Sequence, residues 1–220
     1  MTMLQIGDFF REQEIFPEIR KHALYLMRSG DLDLKHIWDF IASDIQEQWS
    51  PIKYSIPDLL FMDQNTLGFH LCIHLMNMVR DQDDIHGVPA PTRFPLEQPV
   101  CNEKYIELRI KHTHDILHVL TGFNTSPVGE TALQAFYVAQ SLLPLSALYC
   151  FRDIGKHICS PDEASHTQMY ALAAGLEAGL KAADFCALRR LEEFLSEDLD
   201  QVRNQLHIHV SVGRPWSIDH

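Results

Sequence analysis

The sequence predicts an all-α fold, on three observations. Apolar residues recur at helical spacing along most of the 220-residue chain. Helix start and stop signals divide it, at Gly30, Thr66, Ser126-Pro127 and Ser160-Pro161. Only a short run at 206–212 reads as a strand. The length admits one well-cored domain, so a single-domain helical bundle over residues 1–220 is expected.

In chain order, residues 14–29 carry Ile15, Ile19, Leu24, Leu26 and Met27 and stop at Gly30, a C-cap signal. Residues 34–49 put Ile37, Phe40, Ile41, Ile45 and Trp49 on one face. A polar turn at Asp63-Gln64-Asn65-Thr66 leads to a helix at Leu67–Val79, capped by Thr66. That helix is apolar almost all round, so it is buried or it faces lipid. From Arg80 to Asn102, Pro89, Pro91, Pro95 and Pro99 forbid a continuous helix, and a long Pro-rich loop is expected, either a lid or an ordered surface loop. A helix follows at 103–121, with Tyr105, Leu108, Leu117 and Leu120 as core positions. Ser126-Pro127 opens the next, which should run to about Phe151 with a kink at Pro144. Ser160-Pro161-Asp162-Glu163 reads as a capping box for a helix reaching Phe185. On it Ala171, Gly175 and Gly179 share a face that admits a neighbouring helix or a thin ligand chain. A charged amphipathic helix at 187–206 closes the chain.

The formal net charge of −12 argues against non-specific nucleic-acid binding, which needs Lys and Arg to displace counterions. Five cysteines, at positions 72, 101, 150, 159 and 186, are scattered without a CxxC pair. They read as reduced core thiols of an intracellular protein. Charged residues from Asp8 to Glu14 interrupt any secretory signal. The longest apolar region, Leu133 to Phe151, is broken by Gln134, Gln140, Ser141 and Pro144, short of the roughly 20 residues a membrane span needs.

The chemistry concentrates at His114-Asp115-Ile116-Leu117-His118. Histidines four apart on a helix lie one turn apart on one face. At about 100° per residue, His114, Asp115 and His118 fit within about a quarter of the circumference. Imidazoles with a carboxylate are what one helix can offer a divalent cation. Beyond Gly122 and Pro127 the chain should turn into a second helix, and an antiparallel hairpin would return Glu130 to the level of His118. The helix dipole keeps a first-turn carboxylate ionised, which suits a ligand. His70 and His74 share the spacing but have no carboxylate beside them. Arg109 and Lys111 could hold an anionic headgroup or form a solvated face.

The order Arg109-x-Lys111-x-x-His114-Asp115-x-x-His118, then eleven residues to Glu130, resembles the COQ4 family of ubiquinone-biosynthesis proteins. That family carries HDxxH-x11-E after two basic residues. Phe136, Gln140, Leu143 and Pro144 stay in register, and Thr66-Leu67-Gly68 resembles the family's turn before a helix. The likeness spans about 57–210 and leaves the first 55 residues unmatched. Tyr137 stands where many relatives have Glu, and Lys111 where they have Arg. Without a mitochondrial targeting segment, the chain looks like a bacterial, stand-alone relative.

The resemblance implies an all-helical fold, a zinc-type site from His114, Asp115, His118 and Glu130, an apolar cavity for a polyprenyl tail, and peripheral membrane association. Arg109, Lys111 and Gln140 are the residues it offers to a headgroup. The family is linked to removal of the ring carboxylate at C1 of prenylated hydroxybenzoates, with hydroxylation there, and to organising the other biosynthetic enzymes. Such a chain would be cytoplasmic, lying on the inner face of the membrane. Its expected partners are a polyprenyl lipid or prenylated quinone precursor, the membrane surface, other quinone-biosynthesis enzymes and, in a homodimer, a second copy.

Two His and two carboxylates suit zinc, but also iron, manganese or magnesium, and oxidation chemistry would favour iron. Asp115 with His114 forms the candidate catalytic pair, since the residue after the first His of an HExxH enzyme is a general base; Asp115 could instead ligate. Four protein ligands would close a tetrahedral zinc site and make it structural, whereas catalysis needs an open position. Three classes therefore stand: a metal-dependent enzyme on a prenylated ring, a non-catalytic isoprenoid-binding scaffold with a structural metal, and a phosphohydrolase of the His-Asp type. The spacing to Glu130 disfavours the last.

Overall fold

The computed structural model describes residues 35–46, 54–81, 102–140, 144–159, 161–210 and 212–218. The helix expected at 14–29 and the Pro-rich loop lie outside these, apart from the loop's first and last residues. Among the described residues the fold is all-α, with eight α-helices and two 3₁₀ turns. Among the described residues extended pairing is confined to the isolated bridges Thr66–Asp198 and Phe123–Ser217. The strand expected at 206–212 does not form among the described residues; His207 sits at φ 55°, which breaks an extended run. The chain divides into two compact units, one from His36–Gly122 with Phe185–Val210, the other from Phe123–Asp184 with flanking terminal segments.

In the first unit, α1 (Lys35–Gln46) buries Ile37 and Ile41 and lays Phe40 against Phe185, ring centroids 4.9 Å apart. A short α2 (Ile56–Leu60) forms because Ser55 and Asp58 complete a capping box. Thr66 caps α3 (Leu67–Asp81), its hydroxyl accepting from the Phe69 amide at 3.3 Å. Leu67, Leu71 and Cys72 are buried, while Ile73 and Met76 are exposed, so α3 is not enclosed all round. It packs on α4 (Asn102–Thr121), whose Tyr105, Ile116, Leu117 and Leu120 are core residues.

The single helix expected at 187–206 is instead two 3₁₀ turns (Cys186–Leu188 and Leu191–Phe194) and a short α8 (Leu199–Gln205). Two interactions break it. Glu192 turns inward to meet Arg109, and the Asp198 carboxylate accepts from the Gln201 amide at 3.0 Å, starting a new helix.

In the second unit, Ser126 caps α5 (Pro127–Ala139) and accepts from the Gly129 amide at 3.2 Å. α5 stops at Ala139, and Pro144 opens a separate α6 (Pro144–Cys159), so the expected kink is a break between two helices. α7 runs from Glu163 to Lys181, not to Phe185. Its cap is Asp162, which closes a box with Ser165; the acidic oxygen two residues on takes the role expected of Ser160.

The Ala171, Gly175 and Gly179 face of α7 is buried against α5. A Cβ at Gly175 would overlap the Ala132 carbonyl, and one at Gly179 would lie 2.7 Å from the Phe136 carbonyl oxygen. Close backbone approach is what the small residues permit here, and it leaves no width for a ligand chain between these two helices.

Candidate metal centre

α4 is held by buried polar groups along its length. Arg109, 1% exposed, donates to Glu192 at 2.6 and 3.1 Å and to the Arg189 carbonyl. His112 Nε2 lies 3.4 Å from the same carboxylate. Burial alone would push the Glu192 carboxyl up, but the His112 and Arg109 hydrogen bonds and the Arg109 charge outweigh it and bring it down to about 2. Thr113 donates to the Ala187 carbonyl at 2.9 Å. At the far end Arg203 of α8 donates to the Val119 and Leu120 carbonyls at 3.0 and 3.1 Å, serving two of the carbonyls a helix end leaves open. Gly122, at φ 72°, then turns the chain out.

Between these anchors stand His114 and His118. Their rings meet edge to face, centroids 4.7 Å apart, with the two Nε2 atoms 3.2 Å from each other. His118 is fully buried and His114 half-buried. Two nitrogens bound to one tetrahedral zinc at about 2.0–2.1 Å would be about 3.3–3.4 Å apart. The same 3.2 Å suits a hydrogen bond between the two rings, and it fits a shared divalent ion, which would need both Nε2 atoms free of protons. Asp115 is half-buried on the same helix. Its charge acts on the Tyr54 phenol, which burial first, then Asp115 and Glu192, hold well above the usual range.

The other sequence candidates are placed as follows. Arg109 is committed inside the fold to Glu192 and the Arg189 carbonyl, so it braces α4 where the sequence offered it to a headgroup. Lys111 is exposed. Gln140 belongs to the second unit, where its amide donates to the Gly179 carbonyl at 2.6 Å and ties α5 to α7. Glu130 lies in the first turn of α5, half-buried, at the positive end of that helix. His74 has no neighbouring carboxylate in the sequence, yet its ring stacks on His118 at 5.5 Å and 25°. Its signal was position on the helix that packs against α4. Glu192 gave none, since 83 residues separate it from Arg109.

Residues 53–211 match the family model for the coenzyme Q (ubiquinone) biosynthesis protein Coq4. The mitochondrial ubiquinone biosynthesis protein COQ4 of Coccidioides immitis is 28% identical over 156 residues, covering 70% of this chain and 50% of its own. The corresponding protein of Podospora anserina is 30% identical over 157 residues, 71% of this chain and 48% of its own. The chain thus spans about half the length of these relatives. In fold it is similar to a Nostoc punctiforme protein provisionally named for ubiquinone biosynthesis, with a TM-score of 0.67 at 19% identity, covering 93% of this chain and 96% of that one. The match runs through the whole His114–Glu130 motif and most of the chain: the protein belongs to the Coq4 family of coenzyme Q (ubiquinone) biosynthesis proteins.

Proposed function

We propose that the chain acts in ubiquinone biosynthesis on a prenylated hydroxybenzoate, with His114, His118, Glu130 and Asp115 around one divalent metal, zinc or iron first. The approach of the two Nε2 atoms to 3.2 Å carries the reading, because it lies within the family's motif and suits a shared ion. When bound, the metal would act as a Lewis acid toward a phenolic or carboxylate oxygen. His114 and His118 would hold it as neutral imidazoles, from a helix braced at both ends. We assign to Asp115, whose charge helps to keep the Tyr54 phenol protonated, the role of ligating or of taking a proton. Replacing the C1 carboxylate by hydroxyl releases carbon dioxide and oxidises the ring by two electrons; with dioxygen as the oxidant the step balances when dioxygen is reduced to hydrogen peroxide and water supplies the hydroxyl oxygen.

The prenyl tail needs an apolar path from a bilayer. No described helix is long and apolar enough to cross a membrane. Exposed Ile73 and Met76 on α3 are the side chains we assign to the membrane surface, by burial in the headgroup boundary. Leu75 is half-buried and serves that purpose less well.

A second reading, an isoprenoid-presenting scaffold with a structural metal, is favoured by the complete burial of His118. The test is one preparation, purified from membranes, incubated aerobically with prenylated hydroxybenzoate labelled in the carboxylate. Labelled carbon dioxide released by wild type, and lost in His114→Ala, supports the enzyme. Retained isoprenoid without release supports the scaffold. Neither release nor retained isoprenoid would overturn both.

A further inference from the structure

We infer that His74 is a positioning residue for the metal centre, holding the ring of His118 by stacking and not by ligation. The inference rests on the metal reading above. The torsion that turns an imidazole about its Cβ–Cγ bond is broad, so rotamer preference alone does not fix where Nε2 points. Packing on the ring faces supplies such a restraint. His118 is met by the edge contact of His114, centroids 4.7 Å apart at 87°, and by His74, centroids 5.5 Å apart at 25°. The second contact lies within the 4.5–7 Å range in which aromatic pairs attract. His74 comes from α3, which is anchored on its buried side by Leu71 and Cys72, so its ring is delivered by a separate rigid element. Together the two neighbours restrict rotation of a ring that is 0% exposed.

Ligation by His74 is the competing role. A nitrogen lone pair lies in the plane of its ring. Two rings stacked face to face keep their planes apart and offer no shared in-plane point to an ion, whereas His114 and His118, at 87° with their Nε2 atoms 3.2 Å apart, converge well. A metal-bound imidazole also carries part of the ion's charge, which the π face of a stacked neighbour attracts. What His74 supplies is a flat ring.

The experiment titrates the metal-free full-length chain with Co²⁺, following the visible d–d bands, for wild type, His74→Ala and His74→Phe, with circular dichroism to confirm folding. His74→Ala should bind about tenfold more weakly with an altered band pattern, the scale of effect expected when a ligand loses its support. His74→Phe should return to within about threefold of wild type, with the wild-type bands. Co²⁺ affinity and bands unchanged in His74→Ala would overturn the inference while leaving the metal reading intact. A Phe variant as weak as the Ala variant would also overturn it, by showing that a nitrogen is required. No Co²⁺ binding by folded wild type would overturn the metal reading and this inference with it.

Discussion

Where α7 lies against α5, the seam is built of glycine, alanine and backbone; around α4 the interior is built of charge and imidazole. At the first seam, Gly175 and Gly179 let the α5 carbonyls approach so closely that no side chain intervenes. In the second region, Arg109, Glu192 and His112 form a buried cluster, and Tyr105 donates to Asp44 at 2.7 Å while Arg190 donates to it at 2.6 Å. A glycine seam tolerates no added volume. A buried ionic cluster tolerates no missing partner. The costly material is placed on the helix that carries the histidine pair, and it fixes that helix at points before and after His114 and His118.

The largest effect should come from breaking the ionic side. Glu192→Ala leaves the Arg109 guanidinium buried without its carboxylate and should lower stability by about 3–5 kcal/mol in urea unfolding. Replacing both partners, Arg109→Met with Glu192→Leu, should recover most of that loss, because neither charge is then stranded. Retention of the full loss in the double variant would mean that shape, not charge, decides this region.

The same pair has a pH signature. The folded Glu192 carboxyl is depressed from 4.5 to about 2. Its ionised form therefore stabilises the fold fully above about pH 4.5, and the contribution disappears as pH falls toward 2. The stability gap between wild type and Glu192→Gln should narrow by roughly 3 kcal/mol between about pH 5 and pH 2. A gap that does not change with pH would contradict the assignment.

A smaller effect is expected at the seam. Gly175→Ala adds only the Cβ that would overlap the Ala132 carbonyl. Intrinsic propensity favours Ala in a helix by about 1 kcal/mol, so a net loss of about 1–3 kcal/mol would isolate the cost of overpacking. A gain in stability would show that α5 and α7 can part without penalty.

The contrast also explains what could be read from the chain. The helix starts at Leu67 and Pro127, the Thr66 and Ser126 caps and the Gly175–Gly179 stripe are local signals, and each stands where it was expected. His114 and His118 were legible for the same reason, four residues apart on one helix. The failures lie where a distant partner overrides a local pattern. Residues 187–206 carry a helical pattern, but Glu192 is drawn inward by an arginine 83 residues away. Arg109 read as a surface cation because its partner is invisible to periodicity. His74 was passed over because stacking across two helices has no spacing in sequence. Pro144 read as a kink because its ring forbids the preceding helix geometry equally in a kink and in a break.

The central claim is that the braced helix presents a metal ligand pair. Elemental analysis of the purified full-length chain tests it most directly, as metal per chain for wild type, His114→Ala, His118→Ala and Glu130→Ala, each checked for folding by circular dichroism. His70→Ala is the control, since His74 touches His118 and cannot serve. The account predicts about one divalent ion per chain in wild type and in His70→Ala, and little or none in the other three. Unchanged metal content in folded His114→Ala, His118→Ala and Glu130→Ala would contradict it.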